Sequence, residues 1–163
     1  MSEWRECKLG DVAEVQTGPF GSQLHQKDYV PIGTPLITVK NIGENKIIDD
    51  KIDFVSNQDK ERLSKYILQE GDIVFSRVGY VDRRAYITQK ENGWMFSGST
   101  LRIRVKESSG LDSKFLSYYF GQPSFKQEII NMSVGATRPS LNTQLLEETD
   151  ISLPPLPEQR AIA

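Results

Sequence analysis

The chain has 163 residues, 26% charged and 37% hydrophobic, with 12 Gly and 8 Pro, which is ordinary usage for one domain with a single core and excludes disordered, collagenous and disulfide-rich classes. A lone Cys7 forbids an internal disulfide, and with a lone His25 it leaves too few soft ligands for a zinc site, so no cofactor or metal is expected. Lys and Arg number 20 against 22 Asp and Glu; the net charge of -2 conceals a local excess, because residues 77–106 hold seven bases and two acids.

Residues 9–15 run from a short turn into a strand, and 17–22 carry Gly and Pro at loop spacing. A long irregular loop then reaches Pro35. Residues 36–40 read as a buried strand, 41–45 as a turn and 46–49 as a second short strand. Ser56 or Asn57 caps a short helix over 58–66, with Lys65 near its end where the macrodipole favours a cation. After Gly71, residues 72–77 form a strand, 78–82 a turn and 84–88 the returning strand, a hairpin that gathers Arg77, Arg83 and Arg84 around one tip. In 99–106, Leu101, Ile103 and Val105 alternate with Arg102, Arg104 and Lys106, the period of a half-buried strand with one oily and one cationic face. Those bases also have the simpler role of keeping an exposed face soluble. Residues 112–121 place Phe115, Leu116, Tyr119 and Phe120 at helical spacing, and 123–132 form a second helix that begins with proline. Asn142 caps a short helix through Glu148, 149–153 form a last strand, and Pro157 opens a further helix. The sum is a mixed α/β (α+β) fold: a twisted, mainly antiparallel sheet with short helices packed on it. No apolar run approaches the roughly 18 residues of a membrane span, and Trp4, Arg5, Glu6 and Lys8 occupy the place where a signal peptide needs an apolar stretch. No membrane association is expected, and a cytoplasmic address follows.

Catalytic arrangements are missing. Gly18-Pro19-Phe20-Gly21-Ser22 satisfies neither glycine-rich phosphate cradle. A serine triad would need His25 as its base, and that residue lies in a polar loop with no nucleophile elbow elsewhere. Cys7 lacks a positioned base, and the pairs Asp49 with Asp50 and Glu147 with Glu148 read as solvated surface. Pro154-Pro155 is flanked by Leu153 and Leu156, which can neither accept a hydrogen bond from a base amino group nor stack on it as the [DNS]-P-P-[YFW] signature of adenine methyltransferases does. The chain is therefore expected to catalyse nothing.

Several strings together carry a resemblance: Trp4 with Leu-Gly-Asp-Val-Ala-Glu-Val at 9–15, the loop at 18–22, Pro-Leu-Ile-Thr-Val-Lys-Asn-Ile at 35–42 and Gly-Asp-Ile-Val-Phe-Ser-Arg at 71–77 followed by Gly79. Gly-Ala-Thr-Arg-Pro-Ser-Leu-Asn at 135–142 and Ile-Ser-Leu-Pro-Pro-Leu-Pro-Glu-Gln-Arg-Ala-Ile at 151–162 complete the series. In order and spacing the chain resembles the target recognition domains of type I restriction-modification specificity (S) subunits. The resemblance implies a domain over 1–157 that reads one half of a bipartite double-stranded DNA target, with 158–163 the start of a truncated spacer helix. It implies as partners the methyltransferase (modification) subunits and restriction subunit of the same system, and a second recognition domain or half subunit.

The residues support DNA contact at several places. Arg77, Arg83 and Arg84 offer forked guanidinium groups for guanine edges or phosphates, with Tyr80 beside them to stack. Lys40 and Asn41 leave a buried strand where an ammonium can meet phosphate and an amide can read adenine, and a plain turn-forming role competes. Ser22, His25 and Lys27 belong to a polar loop suited to varying target choice. Arg138 is a candidate for backbone phosphate, with carbonyl capping or an acid pair as its alternative. From another class comes the competing reading of an interaction adaptor that docks partner helices through residues 153–163.

Overall fold

Alternating large apolar side chains in the central strands create two buried surfaces, one on each face of a sheet. The computed structural model describes residues 4–19, 22–79, 81–133 and 141–163. In chain order the elements are β1 (Arg5–Lys8), α1 (Leu9–Val12), β2 (Ala13–Thr17), β3 (Thr34–Ile37), β4 (Asp53–Val55), α2 (Asn57–Arg62), β5 (Ile73–Ser76) and β6 (Arg84–Tyr86). They continue with β7 (Met95–Phe96), β8 (Thr100–Val105), α3 (Ser113–Tyr119), α4 (Pro123–Met132), α5 (Thr143–Glu147), β9 (Asp150–Leu153) and α6 (Leu156–Ile162).

The central sheet has the antiparallel order β2-β8-β5-β6. On one face Ile73, Phe75, Leu101 and Ile103 join a core completed by Phe115, Leu116, Phe120, Phe125 and Ile129 of α3 and α4. Phe75 and Phe120 meet edge to face at 5.0 Å between ring centres. The two-stranded β1-β9 pair closes this side, joining residues near opposite ends of the sequence. On the other face Val74, Ala85 and Ile87 pack with Leu36, Ile37, Met95 and Phe96 of a second sheet, ordered β4-β3-β7. That second core is what turns a one-sided sheet into a layered fold.

Helix starts follow the local chemistry. The Ser56 hydroxyl accepts from the Asp59 amide at 3.1 Å, the Asp112 carboxylate accepts from Lys114 and Phe115, and the Asn142 side chain accepts from Leu145. Two expectations fail at residues 36–49. The strand stops at Ile37 because 39–41 form a 3-10 turn closed by the Asn41 side chain, and residues 46–49 contribute one isolated bridge, Ile42 to Ile47. A left-handed Asn45 (φ 57°) folds that segment back, and its amide donates to the Arg84 carbonyl at 3.0 Å. Among the described residues no helix is long and apolar enough to cross a membrane.

The basic face of β8 is a third departure. Arg102 is only 6% exposed: it lies between the sheets, 5.3 Å from the Phe96 ring centre, and donates to the Lys65 carbonyl at 2.9 Å. Arg104 grips the buried Asp72 carboxylate with two bonds, 2.9 and 2.8 Å. This hydrogen-bonded pairing raises the guanidinium's pKa against the opposing effect of burial. The period of two was right, but Arg102 is covered by the second sheet and Arg104 is engaged by Asp72, so that of the three bases only Lys106 stays exposed.

Candidate nucleic-acid interface

Strand direction gathers the loops at one end. β2 and β5 both run antiparallel to β8, so their C-terminal ends stand beside the start of β8. β3 and the parallel β7 leave toward the same end, where the Ser97 amide donates to Ile37 at 2.9 Å. Between these ends opens a cleft of about 310 Å³, lined by Pro19, Leu24, Tyr29, Thr38, Arg77 and the Ser97-Gly98-Ser99 turn. Gly18 makes its tight wall possible, since a Cβ there would stand 2.0 Å from the Ser97 carbonyl oxygen.

Arg77 is the cation of this cleft. Its Nε donates to the Gly98 carbonyl at 2.9 Å, and its own backbone is tied on both sides, to the Ser99 carbonyl and from the Leu141 amide. Half-burial pushes its pKa down from the usual guanidinium value, which still leaves it charged at neutral pH. Opposite it, burial and then Asp53 push the Tyr29 phenol up, so it remains a neutral donor and acceptor. Arg83 is exposed at the same end, its carbonyl accepting from the Ser76 amide at 3.0 Å. Strand alternation turns it toward the cleft side of the sheet.

Ser22, His25 and Lys27 are all exposed on the loop that borders the cleft, and Leu24 anchors that loop in the second core. The His25 amide donates to the Asp28 carboxylate at 2.9 Å, closing a tight turn that holds Lys27 outward. Two residues the sequence reading missed hold the loop's near end: Arg62 donates to the Gln23 carbonyl at 2.7 Å, and the Tyr66 hydroxyl donates to the Gln23 side chain at 3.3 Å. Neither could be found from local signals, because both belong to the helical segment 57–66, about forty residues downstream.

Two expected readers, Arg84 and Asn41, are corrected, and a third, Lys40, has an acidic partner. Arg84, only 3% exposed, points to the opposite face of the sheet from Arg83, where Nε donates to the Ser117 carbonyl at 2.9 Å and Nη1 to Glu44 at 2.5 Å. Its fork is spent on the fold, so the hairpin does not present three arginines together. Asn41 is 1% exposed; its oxygen accepts from the Thr38 amide and hydroxyl, and its nitrogen donates to Ile48 and Lys51 carbonyls, which leaves no edge for a base. Lys40, exposed two residues past Thr38, pairs with Asp53 at 2.9 Å, so it meets an acid where an unopposed cation was expected. Of Arg77, Arg83, Arg84 and Lys40, expected together on one groove, only Arg77 lines the cleft; Arg83 is exposed at the same end of the sheet, and Lys40 is exposed and paired with Asp53. Tyr80 and Arg138 lie outside the described residues.

The sequence model of the type I restriction modification DNA specificity domain matches residues 1–163. The chain belongs to this family. As a specificity domain it is 24% identical to the type I restriction enzyme MjaVIII specificity subunit of Methanocaldococcus jannaschii, over 99% of this chain and 38% of that relative. Its fold matches a chain of a type I R-M system solved to explain complex assembly and conformational transition, with a TM-score of 0.72 and 20% identity over 98% of this chain and 36% of that one. The HsdS subunit from Thermoanaerobacter tengcongensis matches with a TM-score of 0.69 and 18% identity, over 98% and 35%. The specificity domain described here therefore spans a little over a third of the length of these relatives.

Proposed function

We propose that this chain is a non-catalytic, sequence-specific reader of double-stranded DNA that docks the duplex against the strand-end surface around Arg77. The observation that carries the reading is the half-buried, charged Arg77 braced at the mouth of a cleft, with exposed Arg83, His25 and Lys27 around it, in a chain of the DNA specificity family. A braced guanidinium loses little freedom on binding, and its fork suits a guanine edge or a phosphate. Lys40 and Ser22 join as contacts to the DNA backbone at the margin.

Residues 1–157 act as the recognition domain, and 158–163 begin the spacer helix of a longer subunit. That subunit reads one half of a bipartite target and directs methyltransferase and restriction subunits in the cytoplasm, together with a second recognition domain. The family model and the relative named as a type I restriction enzyme specificity subunit support this reading.

Selection from a random duplex pool at low salt tests it. Enrichment of a short common sequence, abolished by Arg77→Ala, is the expected result. No enrichment, together with capture of partner subunits through residues 153–163 alone, favours an interaction adaptor. Binding through Arg77, Arg83, Lys27 and Lys40 also predicts a slope of about −3 to −4 for log affinity against log salt.

A further inference from the structure

We infer that Gln159 is a lock that sets the direction in which α6 leaves the recognition domain. A glutamine on α6, most of whose other residues are exposed, has no reason of its own to be inside, yet Gln159 is 1% exposed. Its side-chain oxygen accepts from the Asp112 amide at 2.8 Å. Its nitrogen donates to the Gly110 and Pro154 carbonyls, both at 2.9 Å. Both donor hydrogens are used, and the three partners come from two separate chain segments. Asp112 carries the connection onward, because its carboxylate caps α3 while its amide holds Gln159. Gly110 adopts a left-handed φ of 75°, and it is the carbonyl of this turn that Gln159 takes up. A second brace lies on the neighbouring position, where the Trp4 indole donates to Glu158 at 3.2 Å and packs edge to face on Phe115 of α3.

Directional bonds of this kind do more than hold the helix down. An apolar side chain at 159 would still bury surface but would tolerate rotation and sliding of α6, whereas three bonds at fixed angles permit one orientation. Whatever α6 carries is then held at a set angle to the DNA-reading cleft. The lock itself stands on the fold alone. Its consequence, a fixed distance between this domain's target and any site held beyond α6, rests on the proposed function.

None of the bonded partners of Gln159 lines the Arg77 cleft, so the lock can be tested without DNA. Spin labels on Arg160→Cys and Gln89→Cys, both exposed positions, in a Cys7→Ser background, report the distribution of distances between α6 and the turn that follows β6. Gln159→Met keeps the unbranched volume and removes all three bonds, and Gln159→Ala serves as the second variant. The expected result is a distribution widened about twofold or more, with the near-UV signal of the folded domain retained. An unchanged width in either folded variant overturns the inference. Loss of the near-UV signal in both also overturns it, because Gln159 would then hold the domain and not the direction of one helix. Failure of DNA binding with the widening present would count against the proposed function and leave the lock standing.

Discussion

Adjacent residues Arg83 and Arg84 are the same chemistry with opposite fates. Alternation turns one toward the cleft side and the other under Ser117 and Glu44. Arg84→Ala should cost about 2 to 4 kcal/mol, since it empties a buried site, strips the Ser117 carbonyl of its donor and leaves Glu44 with Lys126 alone. Arg83→Ala should leave stability within about 0.5 kcal/mol and weaken DNA binding instead. Urea unfolding paired with an anisotropy titration separates the two; equal melting of both variants would refute the assignment. Glu44 adds a pH signature. Burial raises its carboxyl, but hydrogen bonds from Arg84 and Lys126 outweigh this and hold its pKa below the ordinary value. A carboxylate whose folded pKa is depressed contributes stability that is full above its unfolded pKa, about 4.3, and lost as pH falls through the lower folded value. Glu44 is largely exposed, so its part is below about 1 kcal/mol after screening. Glu44→Gln should accordingly narrow the gap between unfolding midpoints at pH 7 and pH 3.

At the scale of elements, β8 and the 22–29 loop depend on partners far away in sequence. Arg104→Ala leaves Asp72 buried without its cation and should destabilise the domain by about 3 kcal/mol, measured by thermal or urea unfolding. A substitution that merely removed a solubilising surface charge would change stability by less than about 0.5 kcal/mol. The loop is held from α2, so Arg62→Ala should lower DNA affinity about fivefold by removing one of the bonds that hold Gln23, with the domain still folded. Arg62→Lys, which can still reach a carbonyl but lacks the fork, should recover part of that loss. Equal affinity for wild type and Arg62→Ala would show that the loop needs no brace. Strands β5, β6 and β8 and helices α2 to α5 were legible because period, caps and proline act within a few residues. β1, β4 and β7 were not, being two to four residues long and defined by their partners.

For the whole molecule, the strand directions decide where function sits. Five chain segments reach the cleft only because β2, β5 and β8 alternate in direction while β3 and β7 run parallel. Gly18→Ala should disturb this end as a unit, since its Cβ meets backbone that cannot step aside, and DNA affinity should fall along with stability. By itself the sequence determined the α/β pattern, the helix caps and the family, because those depend on which residues exist and on short-range spacing. Only the tertiary structure decided which basic and amide groups the fold itself consumes. Arg84 and Arg102 have the right chemistry, but they are buried and donate to a carboxylate and carbonyls from distant segments, a competition that arises only when the layers come together, whereas Asn41 is spent on the local turn it closes with Thr38, Ile48 and Lys51.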